Sequence, residues 1–509
     1  MNPGFLSFFI LVPLLMLFFL WLARDIRVVR TVMVVGSSIL VVLAVTLVFK
    51  FLGDRAAGCT DEMLYVASIP WFEPLHITYT VGVDGISVVM LLLSSVIVFT
   101  GTFVSWDMNK EYFLWFTLLS MGVFGFFVSI DLFMMFMFYE IALIPMYLLI
   151  GVWGTGPKEY AAMKLTLMLM GASTLIMIGI FGIFYGAGGQ TMNILDLAHH
   201  TGGASPIPVS QQYIWFPLTF VGFGVLGALF PFHTWSPDGH SSAPTAVSML
   251  HAGVLMKLGG YGCFRVAIYL MPEAANELSW IFIILAGTGV IYGALSACVQ
   301  TDLKYLNAYS SVSHCGMVLL AILMLTTTAA TGAVMQMLSH GLMTALFFAL
   351  IGMIYHRTGT RDIRELNGLM RIVPFLSVGF VIAGLANLGL PGLSGFVAEM
   401  TIFVGAFQNA DLFHRVFTII ATSSIVVAAV YMLRMVGKII YGVCANPEHA
   451  KIHDAHWEER LAVIVLICCI AGMGMMPGWI SHIIEQSVLP VMQNLGHLTA
   501  DVASTLCAS

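Results

Sequence analysis

Six ionisable side chains stand in stretches otherwise apolar enough for lipid, and the chemistry open to them is proton transfer. Glu140 lies in Phe133-Met-Met-Phe-Met-Phe-Tyr-Glu140-Ile-Ala-Leu-Ile-Pro145, and Lys257 in His251-Ala-Gly-Val-Leu-Met-Lys257-Leu-Gly-Gly. His314 lies in Ser310-Ser-Val-Ser-His314-Cys, His340 in Met337-Leu-Ser-His340-Gly-Leu, and Glu399 in Gly395-Phe-Val-Ala-Glu399-Met-Thr-Ile. Lys164 is the sixth. Each costs roughly 2.5 to 3.5 kcal/mol at membrane depth on insertion scales, so each is a functional candidate. A structural alternative stands beside every one. Either glutamate can simply pair with a neighbouring cation, and a membrane histidine is commonly a hydrogen-bonded packing group. Lysine can snorkel to a membrane face; Lys257 sits far from both ends of its segment, whereas Lys164 lies near the start of its own. Buried lysine can accept and release a proton, and histidine titrates nearest physiological pH. Alternating Glu, Lys and His at depth therefore read as a proton wire. Heavy-metal ligation would call for clustered thiolates or imidazoles, and no carboxylate pair suggests a glycosidase or protease.

The elements that carry these residues are membrane helices. The chain has 509 residues, 59% hydrophobic and 9% charged, with a mean hydropathy of +0.96; a soluble protein carries about 25% charged residues. Segments long enough to span read as 4–23, 31–52, 84–105, 112–130, 131–153, 161–187, 213–234, 244–270, 278–299, 304–325, 331–355, 372–407, 416–441 and 460–480, fourteen in all. The seventh runs into Pro231-Phe-His233-Thr-Trp235-Ser-Pro237, and the twelfth contains Asn387-Leu-Gly-Leu-Pro391-Gly392-Leu-Ser-Gly395, so both read as broken helices. Two breaks five spans apart point to inverted repeats, helices 4–8 and 9–13. The expected organisation is 1–110 for the first three helices, 111–271 and 272–442 for the two five-helix repeats, and 443–509 for helix 14 and a C-terminal tail. Lys and Arg gather in alternate loops, at 24–30, 110, 158, 304, 357–371 and 451, while the others hold only Arg55 and Arg415, with Lys50 and Arg265 near helix ends. This bias favours a cytoplasmic side for the rich loops and an outer or periplasmic side for both termini.

Other patterns are set aside. A net charge of -6 and the absence of a basic track exclude nucleic acid as a partner. The eight cysteines are scattered without C-x-x-C or ferredoxin spacing, so no redox centre is expected in this chain. Residues 1–23 lack a basic n-region and a cleavage site and read as a retained first helix. Gly222-Phe-Gly224-Val-Leu-Gly227 has the dinucleotide pattern but lies within an apolar helix with no strand before it. His449, His453 and His456 read as a solvated loop face, and 188–212, with His199-His200, as an outer connection.

Three stretches carry a resemblance: Phe138-Tyr-Glu140-Ile-Ala-Leu-Ile-Pro145-Met146-Tyr147, Pro231-Phe-His233-Thr-Trp235-Ser-Pro237-Asp238-Gly-His240-Ser-Ser-Ala-Pro244, and Thr301-Asp302-Leu-Lys304 leading to His314. The chain resembles the antiporter-like membrane subunits of respiratory complex I, the M type in particular. The resemblance implies an all-α polytopic fold of two inverted five-helix bundles, each holding half of a proton channel, on a polar axis through Glu140, Lys164, Lys257, His314, His340 and Glu399, with Pro231, His233 and Pro391 at the helix breaks. It implies no cofactor in this chain, with flavin, iron-sulfur clusters and quinone in partner subunits. The implied partners are L-type and N-type antiporter-like subunits and lipid, in a prokaryotic cell membrane. One position departs from the family: Leu226 stands where a helix-seven lysine would pair with Glu140, and no Lys or Arg occurs between Lys164 and Lys257. Glu140 then lacks its cation unless Lys164 or His233 approaches. Two other readings stay open: a subunit of a related cation/proton antiporter or membrane-bound hydrogenase, and a structural membrane arm that has lost pumping.

Overall fold

The computed structural model describes residues 3–199, 206–444, 446 and 448–507, with side chains over the same range except Pro3, Ala450 and 496–507. Six residues of the 188–212 connection, His200 included, thus lie outside the described residues. Apolar segments surrounded by lipid must satisfy their own N–H and C=O groups, which here means helices. In chain order these are α1 Phe8–Leu22, α2 Ile26–Ala56, α3 Gly85–Val104, α4 Lys110–Val128, α5 Leu132–Trp153, α6 Lys158–Gly186, α7 Ile194–Ala198, α8 Val209–Leu226, α9 Trp235–Ser242, α10 Thr245–Leu250, α11 Met256–Gly262, α12 Pro272–Val299, α13 Leu303–Leu323, α14 Thr327–Thr358, α15 Pro374–Asn387, α16 Ser394–Gln408, α17 Leu412–Ile440, α18 Trp457–Met475 and α19 Gly478–Cys507. Ten of the described helices are long and apolar enough to cross a membrane: α1 with the turn before it, α2 to α6, α12 to α14, and α17.

The remaining segments are interrupted. Between α8 and α9 the chain unwinds around Pro231, and Ala228 takes a positive φ of 57°. Between α15 and α16 it unwinds through Gly389 (φ 64°), Pro391 and Gly392 (φ 94°), a backbone that glycine adopts without strain. The segment from α10 to Ile268 is continuous but widened by two π turns, His251–Leu255 and Cys263–Ile268, on either side of α11.

Two elements lie beyond the sequence reading. An antiparallel hairpin, β1 Leu64–Phe72 and β2 Ile77–Val83, sits between α2 and α3; its turn residue His76 is left-handed. A search for apolar spans has no reason to see a half-exposed strand pair. Within the expected tail, α18 bends by 74° into α19. Ile480, Ile483, Ile484, Val488, Val491, Met492 and Leu495 are buried on one face of α19, which packs on α3, α12 and α14. Its polar face keeps total hydropathy low, so a hydropathy scan passes over it.

Similar turns recur at two places. Asp131 caps α5, accepting from Phe133 and Met134 N–H at 3.0 and 3.1 Å, and the turn before α5 pairs with Met192 and Ile194 beyond α6. Asp302 caps α13, accepting from Lys304 and Tyr305 N–H, and the turn before α13 pairs with Arg361 and Ile363 beyond α14. Such caps stabilise a helix start by about 1 kcal/mol. At the end away from Lys304, Arg265 and Asp84 form a fully buried ion pair, joining the last π turn to the start of α3.

Close backbone approach sets where the central helices meet. A Cβ on Gly259 would lie 2.3 Å from Gly227 N and 2.6 Å from Phe223 O, and one on Gly341 would lie 2.6 Å from Gly253 O. Gly259→Ala should therefore destabilise by about 1 to 3 kcal/mol through overpacking, read as a lower Tm of the detergent-solubilised protein. Gly171→Ala, where the new methyl would meet nothing within 4 Å, should leave Tm unchanged or raise it.

Candidate functional site

The contact of α14 with the π-widened segment brings Lys257 and His340 together. In the first π turn Met256 N–H reaches back five residues to His251 O. Ala252 O accepts instead from the Lys257 ammonium at 2.5 Å, and Lys257 Nζ lies 2.7 Å from His340 Nδ1. Both side chains are buried. The partners of the ammonium are a carbonyl and an imidazole, not a carboxylate. For Nδ1 to accept, His340 must be neutral with its proton on Nε2, a buried nitrogen without a protein partner. Two positive groups 2.7 Å apart would repel strongly, so this pair is built to hold one positive charge.

The chain of groups continues toward α16. The His340 and His314 rings are 5.2 Å apart, and His314 Nδ1 lies 3.6 Å from Glu399 Oε1. Gln336 Nε2 is 3.0 Å from His314 Nδ1, and His314 Nε2 is 3.3 Å from Asn387 Oδ1. Asn387 Oδ1 also accepts from Ser310 Oγ at 3.2 Å, and Ser310 Oγ accepts from Tyr431 at 2.9 Å. These amides hold a neutral imidazole in one tautomer; a proton arriving on Nδ1 must displace Gln336 and turn to Glu399. Two cavities of about 10 Å³ flank the chain, one at Lys257 and Cys315, the other between His314, Asn387, Glu399 and Tyr431. Each is about the size that holds one water.

On the other side of Lys257 the chain runs through α9. The His251 and His240 rings are 4.2 Å apart, and His240 lies in the field of Lys257 and Lys304. Lys304 is buried and donates to Ala243 O at 2.7 Å, although its place in a basic loop suggested exposure. Asp238 joins the two halves of the molecule: Lys164 Nζ reaches Oδ2 at 2.6 Å and the Tyr305 hydroxyl donates to Oδ1 at 3.1 Å.

Of the six expected residues, four (Lys257, His340, His314, Glu399) stand in one buried row. Lys164 is engaged by Asp238 rather than Glu140. Glu140 is half-buried; its polar neighbour is Ser173, and its buried Oε1 makes no hydrogen bond. Ser173 stands nine residues after Lys164 on α6, about 13 Å along the axis. Leu226 is buried at the end of α8. His233 is buried and packs on Phe230 and Tyr292, whereas Pro231 and Pro391 are exposed within the two breaks. The reading from sequence did not single out Asp238, His240, His251, Lys304, Gln336, Asn387 or Tyr431. The polar run through the first break signalled Asp238 and His240; the neutral amides carry no charge to notice. Of the loop histidines, His453 and His456 are exposed as expected, Glu459 accepting from the His456 N–H at the start of α18, whereas His449 is buried, with Nε2 3.3 Å from Asn446 Nδ2.

The Lys164–Asp238 contact predicts non-additivity. In the assembled complex, Lys164→Met and Asp238→Asn should each lower coupled proton transfer, and the double variant should be no worse than the poorer single one. Strictly additive losses would separate the two residues.

Comparison with known proteins accords with this architecture. Residues 129–427 match the family described as NADH:quinone oxidoreductase/Mrp antiporter, TM. NADH-quinone oxidoreductase subunit M of Rickettsia conorii is 34% identical over 83% of this chain and 85% of its own length. NAD(P)H-quinone oxidoreductase chain 4 2 of Microcystis aeruginosa is 31% identical over 99% and 96%. Among solved structures, a chain of respiratory complex I from Thermus thermophilus with bound NADH superposes with a TM-score of 0.87 at 25% identity, covering 96% of this chain and 99% of that one. A chain of the Mrp complex from Dietzia sp. DQ12-45-1b shares the fold, with a TM-score of 0.84 at 19% identity over 97% and 99%. The chain belongs to the NADH:quinone oxidoreductase/Mrp antiporter family of multi-pass membrane subunits, with M-type subunits among its relatives.

Proposed function

We propose that this chain is a proton-translocating M-type subunit of a complex I-type quinone oxidoreductase in a prokaryotic cell membrane. The observation that carries the reading is the buried row Lys257, His340, His314, Glu399, whose members lie in contact or one water-sized cavity apart. In this reading the chain performs no redox step. Flavin, iron-sulfur clusters and quinone belong to partner subunits, and the chain works beside L-type and N-type neighbours with both termini on the outer side. The two similarly capped turns, before α5 and before α13, lie five spans apart and so on opposite faces, which supports dividing 111–271 and 272–442 into inverted repeats.

The proton-handling steps follow from the residues. Lys257 and His340 hold one positive charge between them. Charge entering from the His251 and His240 side raises the cost of keeping that proton and favours its passage to His314. His314, once doubly protonated, can turn Nδ1 to Glu399. A second reading, an arm that has lost pumping, is favoured by Leu226 and by the absence of an ion pair at Glu140 among the described residues.

Reconstituted pumping per electron separates the two. Lys257→Met and Glu399→Gln should each reduce it by about tenfold or more, as expected when a positioned acid or base is removed, with co-purification of partner subunits unchanged. Unchanged pumping in both intact variants would leave only the structural-arm reading. Leu226→Lys should alter pumping if the first half is weakened by the missing cation; no change would mean that the loss is met elsewhere.

A further inference from the structure

A second polar cavity, of about 140 Å³, opens where α12, α13 and α17 meet the loop after α14. Gln300, Thr301, Arg364, Arg434 and Lys438 line it together with the buried Tyr431. The nearby carboxylates are already engaged. Arg364 grips Asp362 with contacts of 2.5 to 3.1 Å and holds its carboxyl below the ordinary value, with Lys438 adding to the effect. Asp302 pairs with Arg361 at 3.1 Å. Arg434 and Lys438 form no ion pair among the described residues, so two cations converge on a cavity with surplus positive potential.

The rim is apolar. Leu295 and Val299 of α12 and Val426, Val430 and Leu433 of α17 are exposed, and the two helices meet where the Cys298 thiol reaches Val427 O at 3.8 Å. An anion bound here would therefore have a hydrocarbon track running from it along the helix pair. The cavity lies in the Lys- and Arg-rich loop region, which also holds Lys304, Arg361 and Arg371. Basic pockets between membrane helices on such a face suit anionic head groups, each nearby cation contributing about fivefold in affinity.

We propose that this cavity is a binding site for the phosphate head group of an anionic phospholipid, held by Arg434 and Lys438 with Gln300 and Thr301 as neutral donors, its acyl chains lying on the apolar rim of α12 and α17. A free phosphate shares the head-group chemistry but gains nothing from the rim. The site belongs to the membrane-facing body of the chain and does not depend on which half pumps.

The test uses the assembled complex in phosphatidylcholine nanodiscs containing a trace of photo-crosslinkable phosphatidylglycerol, with cross-links mapped to peptides. Cross-links are expected on the peptides holding 295–301 and 426–438, displaced by unlabelled phosphatidylglycerol but not by phosphatidylcholine or inorganic phosphate. Arg434→Gln and Lys438→Gln should each lower this labelling by about fivefold, while Arg434→Lys keeps most of it. Both side chains are exposed, so the single variants should assemble, as partner co-purification would record. Unchanged labelling in the glutamine variants, equal displacement by phosphatidylcholine, displacement by inorganic phosphate, or no labelling because a neighbouring subunit covers the cavity would each overturn the proposal.

Discussion

Lys257 must be accommodated in the buried interior with no carboxylate as its partner, and the middle of the molecule is arranged around that constraint. A buried ammonium needs acceptors from the protein itself. A regular α-helix would engage the Ala252 carbonyl with the Met256 N–H. The π turn redirects that N–H to His251 O and leaves Ala252 O to the side chain. Gly253 and Gly341 let α14 approach closely enough for His340 to supply the second contact. Helix geometry, glycine placement and the candidate chemistry are therefore one requirement rather than three.

The same reasoning explains why the unwound segments fall where they do. The first break leads into α9, which delivers Asp238 and His240, and the second leads into α16, which delivers Glu399. Polar bridges across the two halves pair a charged or polar group of one half with a polar group of the other: Tyr305 on Asp238, Lys304 on Ala243 O, Arg361 on Ser241 O and Lys257 on His340.

Charges in apolar runs are conspicuous because lipid makes them costly, and this is why Lys257, His314, His340 and Glu399 could be named from sequence and are found together. The helix breaks were legible for the same kind of reason, since Pro and Gly disrupt the hydrogen-bond ladder that lipid otherwise enforces. What stayed hidden was what depends on tertiary approach. Asn387, Gln336 and Tyr431 are ordinary in an apolar helix until a histidine is placed against them. Lys304 looked like one more loop cation because its burial comes from α9 folding over it. The hairpin and α19 escaped because their burial is one-sided, and total hydropathy averages over faces.

The two halves are unequal in electrostatic terms. In the second, ionisable groups stand within a few ångström of one another without a strong ion pair, so a proton can move among them with small displacements. In the first, Lys164 is already committed: it faces Asp238 at 2.6 Å and both remain partly exposed, an arrangement that holds charge in place rather than passing it on. With Leu226 supplying no second cation, a signal entering the first half has one charged link to the central lysine, through Asp238 to α9 and then the stacked rings of His240 and His251. Those rings are fully buried beside Lys257, so protonating either one places a positive charge against another in a poorly screened interior. Coupling by that route works through repulsion, by making the proton at Lys257 more costly to keep, and it requires no cation at position 226.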